Sequence, residues 1–549
     1  MGNLCKRKKK PKKENDSSVT HKEGNDSNSN SNLMNNSSNK QISLNNYIKV
    51  PNNKRTNSFQ KRETKNLSTM EKNPSLKKTV TNGTNSININ YKTFIQGKNY
   101  SDLLSEYDIL EHLGAGAFGV VQKVRHKASK QIRAMKTIKK NTIYEEKNLR
   151  EIENLMLLDH PNILKLYEYY YDKKNLYIIT EFCEGGELFD KIKDRNGYFS
   201  ERDAAKILKA VLQAIAYCHS MKLVHRDLKP ENILLEGNDL EHIKLIDFGT
   251  SNIINPNQKL KERLGTAYYI APEVLKKNYD EKCDLWSIGV IMFILLTGEP
   301  PFNGNTDEEI LQNVKNGYVD FSTSIFEEIS EEAKDLLSKL LEKVPSKRYS
   351  AIEALEHPWI KNLAPNAKLN KNIGQKVFTN LKNFQADQKL QEAAVAFITN
   401  QLVSKEETEE LRKIFIELDA NCDGVLSREE VECGLVKYYG GDKAKEETEI
   451  IFSKVDADKN GFISYDEFIR ASIDKNKILS EEKLRAAYKL FDKNGDGTIE
   501  AKEIKEVLGK DLVYDNENIW DDIVKEVDEN GDGLISYEEF KTMMEKICK

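Results

Sequence analysis

Four stretches of twelve residues in the C-terminal quarter place oxygen-bearing side chains at alternate positions, each closing on a glutamate. They run through Asp419, Asn421, Asp423, Val425 and Glu430; Asp456, Asp458, Asn460, Phe462 and Glu467; Asp492, Asn494, Asp496, Thr498 and Glu503; and Asp528, Asn530, Asp532, Leu534 and Glu539. A hard cation such as Ca2+ takes about six to eight oxygen ligands in a flexible shell. Side chains at positions 1, 3 and 5, a backbone carbonyl at position 7 and a bidentate glutamate at position 12 supply that shell. Glycine at position 6 (Gly424, Gly461, Gly497 and Gly533) permits the sharp turn. A single run of this kind could be an acidic turn. Four complete runs in two evenly spaced pairs point to ion binding, with structural Mg2+ or buffering still open at individual sites.

A second constellation lies upstream. Gly114, Gly116 and Gly119 follow an alternating stretch, Tyr107 to Leu113, and Val120 to Arg125 then reads as another strand that includes Val121. Alone, GxGxxG is a weak signal for a phosphate-binding turn, and a following strand argues against the dinucleotide-binding strand-to-helix context. Lys136 ends a third strand, and Glu151 sits on a helical stretch that closes before Asp159-His160-Pro161-Asn162. In isolation these two would be a surface ion pair of little energetic weight. Three later motifs change that reading: His225-Arg226-Asp227-Leu228-Lys229-Pro230-Glu231-Asn232, Asp247-Phe248-Gly249 and Ala271-Pro272-Glu273. Their order and spacing resemble the eukaryotic protein kinase domain over residues 105–360.

The resemblance implies a set of roles. Catalysis would rest on Asp227, Lys229, Lys136 and Glu151: Asp227 orients the substrate hydroxyl and accepts its proton, Lys229 neutralises the transferring phosphoryl group, and Glu151 holds Lys136 on the α/β-phosphates. ATP would bind at Gly114, Gly116, Gly119, Val121, Lys136, Thr180, Glu181 and Cys183, with Thr180 as a small gatekeeper before the hinge. Asn232 and Asp247 would hold Mg2+. Lys229 and Gly265-Thr266-Ala267-Tyr268-Tyr269 resemble the serine/threonine branch. Glu187 and Glu231 match positions that favour basic residues in the substrate, although two solvated carboxylates remain the plainer alternative and Ile294 lacks a further acidic contact. Glu262 stands where a phosphorylated threonine would pair with Arg226, so the activation loop is expected to work without phosphorylation.

The elements that must position these groups follow from the chain's organisation. Its 549 residues are too many for one core. Residues 1–13 carry seven Lys and Arg with no acid, whereas 406–549 carry 38 Asp and Glu against 22 Lys and Arg. Such segregation suggests different partners at the two ends. Residues 14–104, rich in Asn, Ser and Lys, are expected to be disordered. The junction, 361–404, holds two amphipathic stripes: Phe378, Leu381 and Phe384, then Leu390, Ala394, Phe397, Ile398 and Leu402. Either they pack as ordinary core, or they form an autoinhibitory helix that the calcium lobe captures. Residues 405–549 would be the calcium-binding lobe, and its only methionines, Met543 and Met544, suggest a dedicated intramolecular target. The seven cysteines are scattered, which speaks against a disulfide framework or a cysteine zinc site and for a reducing compartment.

Kinase, junction and four EF-hands in this order resemble the calcium-dependent protein kinases of plants and protists over about 105–549. The fold class implied is multidomain: an α+β bilobal protein-kinase fold followed by an all-α four-EF-hand calmodulin-like domain. The function implied is a calcium-activated serine/threonine kinase using Mg2+ with ATP, acting on proteins and switched by its own EF-hand domain through the junction. A membrane-bound calcium sensor or scaffold, in which the kinase fold serves binding, and a constitutive kinase with an EF-hand buffer are the rival readings. Met1-Gly2-Asn3-Leu4-Cys5 resembles an acylation start, with Gly2 for myristate and Cys5 for palmitate, although Lys6 replaces the usual hydroxyl residue. With Lys6 to Lys13 this suggests a cytoplasmic protein held at an anionic membrane. A nuclear-localisation or nucleic-acid role for the basic run is the alternative.

Overall fold

The alternating stretch at Tyr107 becomes the first of three consecutive antiparallel strands. The computed structural model describes residues 89, 91–95, 97–116, 119–140, 145–194, 198–255, 258–366, 371–386, 388–441, 443–509 and 519–548. Strands β1 (Gly97–Asn99), β2 (Tyr107–Gly116), β3 (Gly119–His126), β4 (Ile132–Lys139), β5 (Leu166–Tyr171) and β6 (Asn175–Glu181) form one sheet in the order β1-β5-β6-β4-β3-β2. β2 and β3 pair through to Gly116 opposite Gly119, so the glycine turn is a hairpin loop as its following strand implied. At Gly119, where φ is +133°, an added Cβ would lie 2.1 Å from the Thr137 carbonyl oxygen. Only glycine fits there.

The second lobe is mainly helical. Ser200 caps the helix Glu201–Ser220 by accepting the Asp203 N–H, and thirteen of its residues are buried. The apolar helix Lys282–Thr297 is buried on nearly every face. It is a core helix, and no helix among the described residues is long and apolar enough to cross a membrane.

The C-terminal lobe consists of two helix–loop–helix pairs. Their loops join through two-residue strands, Leu426 opposite Ile463 and Ile499 opposite Ile535, as the apolar residue at position 8 of each loop suggests. The apolar residues at position 13 (Val431, Phe468, Ile504 and Phe540) are all buried. Both junction stripes enter this core. Helix Lys371–Lys382 buries Val377, Phe378 and Leu381 against the first pair. Helix Lys389–Phe397 continues through a π-turn, Ile398–Leu402, toward the second pair, where Gln391 donates to the Met543 carbonyl oxygen at 2.7 Å. Phe384 lies past the end of the first helix yet still packs on the same core.

The expected disordered stretch extends too far. Between residues 89 and 104 the chain contributes a 3-10 turn (Tyr91–Phe94), strand β1, and the start of helix α1 (Tyr100–Glu106), so a boundary at residue 105 falls inside a helix. Sparse apolar content misled the reading because a few residues do the anchoring. Ile89 and Phe94 are buried in the C-terminal core, Ile95 in the kinase core, and Leu103 in the sheet lobe. Lys98 bridges Glu106 and Glu168.

Candidate active site and calcium loops

Helix α2 (Glu145–Leu157) and the sheet bring the first two groups together. Lys136 stands on β4 opposite Val121 of β3 and Ile178 of β6, and its Nζ lies 2.6 Å from Glu151 Oε2. Burial opposes the ammonium charge, but Glu151 outweighs it and lifts the lysine above its ordinary pKa. Gly114 and Gly119 flank the hairpin turn beside Val121, and Ala117 and Phe118 lie outside the described residues. Thr180 pairs across with Ala134. Cys183 is buried, which pushes its thiol up to about 12.

The catalytic loop is organised by a residue that sequence reasoning missed. Buried Asp284 accepts the backbone N–H groups of both His225 and Arg226 at 2.9 Å. Asp227 then lies 3.2 Å from Lys229 Nζ and accepts from the Thr266 hydroxyl at 3.3 Å. Asn232 donates to the Asp227 carbonyl oxygen at 2.7 Å, which leaves its amide oxygen as the group available to a metal. Asp247 adopts a left-handed backbone conformation, φ 62°. Its carboxylate is held 2.7 Å from Lys147 Nζ, a partner not anticipated from sequence. Burial opposes ionisation of Asp247, but Lys147 and then Lys136 outweigh it and hold the carboxyl below its usual range. A carboxylate that already draws a cation and an amide oxygen not spent on a hydrogen bond are the kinds of oxygen donor that fit Mg2+.

In the activation segment, Arg226 Nη1 donates to Glu262 Oε2 at 2.9 Å. The guanidinium side chain is 1% exposed and the glutamate 60%, so a carboxylate from the loop meets the arginine as expected. Glu187 and Glu231 lie near one another, each raised in pKa by burial first. The buried Oε2 of Glu231 has no hydrogen-bond partner among the described residues.

The calcium loops share one construction. Their position-6 glycines have φ between +79° and +92°. Each position-12 glutamate (Glu430, Glu467, Glu503, Glu539) forms a capping box with position 9 and accepts a loop N–H at 2.9–3.0 Å. Carboxylate oxygens of Asp456, Asp458 and Glu467 lie within 4.8 Å of one another. Burial, then the nearby Asp423 and Glu430 charges, push Asp419 up to about 7. All-oxygen sets of gathered negative charge fit Ca2+.

The calcium lobe meets the kinase on the hinge side. Lys405 reaches Glu181 and Glu236, both at 2.9 Å, and donates to the hinge carbonyl of Phe182 at 3.2 Å. Arg412 also pairs with Glu236, and Lys244 with Glu181 at 3.0 Å. Glu181, expected among the ATP-binding residues, thus turns its side chain into this network, and only its backbone is left for the cleft. Asp159 Oδ2 accepts the Asp466 N–H at 2.7 Å, and the Asp159 N–H donates to Tyr217 Oη at 2.9 Å.

This geometry defines a protein kinase joined to a double EF-hand module. Residues 107–360 match the protein kinase domain, and 408–473 and 481–545 each match the EF-hand domain pair. The chain is 41% identical over 490 residues to calcium-dependent protein kinase 4 of Plasmodium falciparum, covering 86% of this chain and 92% of that protein. It is 42% identical over the same length to calcium-dependent protein kinase 4 of Plasmodium berghei, with the same coverage. Calcium-dependent protein kinase 17 of Arabidopsis thaliana is 38% identical over 460 residues, 82% of this chain and 86% of the plant protein. The chain belongs to the calcium-dependent protein kinase family. It is a calcium-activated serine/threonine kinase that uses Mg2+ with ATP, acts on proteins and is regulated by its own EF-hand domain.

Proposed function

We propose that the calcium lobe activates the kinase by bracing it from the hinge side while holding both junction helices away from the catalytic cleft. The observation that carries this reading is the Lys405–Glu181–Glu236–Arg412 network, which ties the first EF-hand to the hinge while Lys136 and Glu151 are paired. Of the residue pairs involved, Arg412 and Glu236 are buried enough that losing one partner leaves an uncompensated charge. A lobe can shift the kinase only by binding its active arrangement more tightly, and a contact at the hinge does that without touching substrate.

In the cleft, the reaction is an in-line transfer. The substrate hydroxyl oxygen forms a bond to the γ-phosphorus as the bond to the bridging oxygen breaks, ADP leaves, and Asp227 takes the hydroxyl proton. Lys136, fixed by Glu151, orients the α/β-phosphates, and Lys229 neutralises the phosphoryl group in flight. Asn232 and Asp247 would hold Mg2+, which supplies charge neutralisation on the β/γ-phosphates. Gly114, Gly116, Gly119, Val121, Thr180 and Cys183 line the nucleotide. Each calcium loop binds through its positions 1, 3, 5, 7 and 12. Glu187 and Glu231 select basic residues near the phosphosite, a reading supported by the unpartnered Glu231 oxygen.

Phosphate transfer from ATP to a basic serine peptide, titrated with free calcium at fixed Mg2+, tests this. Wild type should rise steeply, Asp247→Ala should stay at background, and a neutral peptide should be poorer. Arg412→Met should still bind calcium, read by calorimetry, yet lose about tenfold or more of the calcium-stimulated rate, the scale of a buried partner lost. Full activation of Arg412→Met would remove the bracing role.

The membrane assignment rests on Gly2, Cys5 and Lys6 to Lys13, which lie outside the described residues. Two acyl chains with a basic run suffice for stable anchoring, whereas one chain alone is marginal. Gly2→Ala is expected to move the protein from the membrane to the soluble fraction of expressing cells, and an unchanged distribution would end this reading.

A further inference from the structure

Asp247 and Lys147 are 100 residues apart in sequence, and two features of the fold bring them together. Lys147 and Glu151 are four residues apart on α2, so both project from one face of the helix toward the cleft. The lysine stem also crosses directly over Gly249. A Cβ at that glycine would lie 2.6 Å from Lys147 Cγ and 2.9 Å from its Cε. The glycine of Asp247-Phe248-Gly249 therefore clears the path by which the ammonium reaches Asp247 Oδ2 at 2.7 Å. The side chains are only 21% and 14% exposed, so this is no solvated surface pair of negligible weight. The other basic side chains near Asp247 do not replace it: Lys136 is committed to Glu151 at 2.6 Å, and His225 Nε2 lies against the Ile246 carbonyl oxygen.

We infer that Lys147 competes with the divalent metal for Asp247 and so sets how much Mg2+ the kinase requires. The inference rests on the proposed reading of Asp247 as a metal ligand. A +1 ammonium on the carboxylate and a +2 ion beside it repel each other across a partly buried site, where charges are poorly screened. Metal binding then includes the work of displacing Lys147. Because α2 carries both Lys147 and Glu151, the helix that fixes the phosphate-binding lysine also tunes the metal.

The test is Mn2+ binding to the full-length protein with ADP and saturating calcium, read as free Mn2+ by electron paramagnetic resonance. The cleft component is the part lost in Asp247→Asn. Lys147→Met, which keeps the apolar stem over Gly249, should tighten that component by at least about fivefold, the lower end of ordinary coupling between two ligands. Lys147→Gln should follow it, and Lys147→Arg should stay within about twofold of wild type, since it keeps the charge. A merely structural role would weaken the metal instead, because a displaced α2 spoils the cleft. Unchanged or weaker Mn2+ binding in both neutral variants overturns the competition. If Asp247→Asn loses none of the Mn2+ binding, the ligand assignment falls and the inference with it, whatever the Lys147 variants do.

Discussion

The two EF-hand pairs have the same loop chemistry but opposite surroundings. In the first pair the loops are part of the seam with the kinase. Gly424 lies against the Tyr217 ring, close enough that an added Cβ would be 2.2 Å away, and Ser220 donates to the Asp423 carbonyl oxygen. Asp419, Asp423, Asp456 and Glu467 are all raised in pKa, with burial the first cause in each. In the second pair, nothing lies within 4 Å of a Cβ placed on Gly497 or Gly533. There Asp496 is held below its usual range by the Thr498 hydroxyl and Asp528 by the Gly533 N–H. What this pair grips is chain: the second junction helix at Gln391 and, through its helix Ala501–Leu508, the 3-10 turn at Tyr91–Phe94. The loops of the first pair therefore touch the kinase themselves, whereas the second pair holds the second junction helix.

Removing the position-12 glutamates pair by pair should separate the two pairs most strongly. Glu430→Gln with Glu467→Gln should cost the calcium-stimulated rate at least about tenfold even at saturating calcium, because the loops that touch the kinase lose their bidentate ligand. Glu503→Gln with Glu539→Gln should chiefly move the calcium midpoint upward, by several-fold, with most of the maximal rate retained. Calcium titrations of peptide phosphorylation decide it. Equal losses in the two double variants, or the larger loss in the second pair, would mean that the difference in surroundings carries no functional difference.

That difference was not legible in the sequence, and the reason is physical. Both pairs satisfy the same local requirement, oxygen atoms at fixed positions around a tight turn, so Asp419 and Asp492 read alike although one is buried and the other is not. The candidate catalytic set could be proposed on the same ground: His225-Arg226-Asp227 and Asp247-Phe248-Gly249 are short runs whose chemistry would fix residue type at fixed spacing. Groups that meet across long separations left no such mark. Lys405 and Glu181 are ordinary charged residues among many, and only the packing of the calcium lobe on the hinge makes them partners. Asp284 looks like a helix residue until its carboxylate is seen holding two backbone N–H groups of the catalytic loop. The junction stripes lay between, since their periodicity announced burial but not against what. Residues 91–104 were misjudged because isolated anchors such as Ile95 and Leu103 are invisible in a composition that is otherwise polar.

At Tyr217 a single atom of the first pair's contact can be removed. Tyr217 has two roles at once: its ring stacks on His160 at 5.1 Å and supports Gly424, while its hydroxyl accepts the Asp159 N–H at 2.9 Å. Asp159 in turn accepts the N–H of Asp466, the second residue of the helix that leaves calcium loop two. Tyr217→Phe keeps the ring and removes only the hydroxyl, so the packing of loop one is untouched while the bracket around Asp159 loosens. A net hydrogen bond contributes about 0.5–1.5 kcal/mol, so the calcium midpoint should rise by between about twofold and tenfold, with the maximal rate unchanged. A midpoint that stays put would mean that Asp159 transmits nothing from loop two, leaving the hinge network around Lys405 as the route from the first pair to the kinase. A lowered maximal rate would instead assign the hydroxyl to the kinase's own fold, because a contact that only favours docking is saturated once calcium has filled every loop.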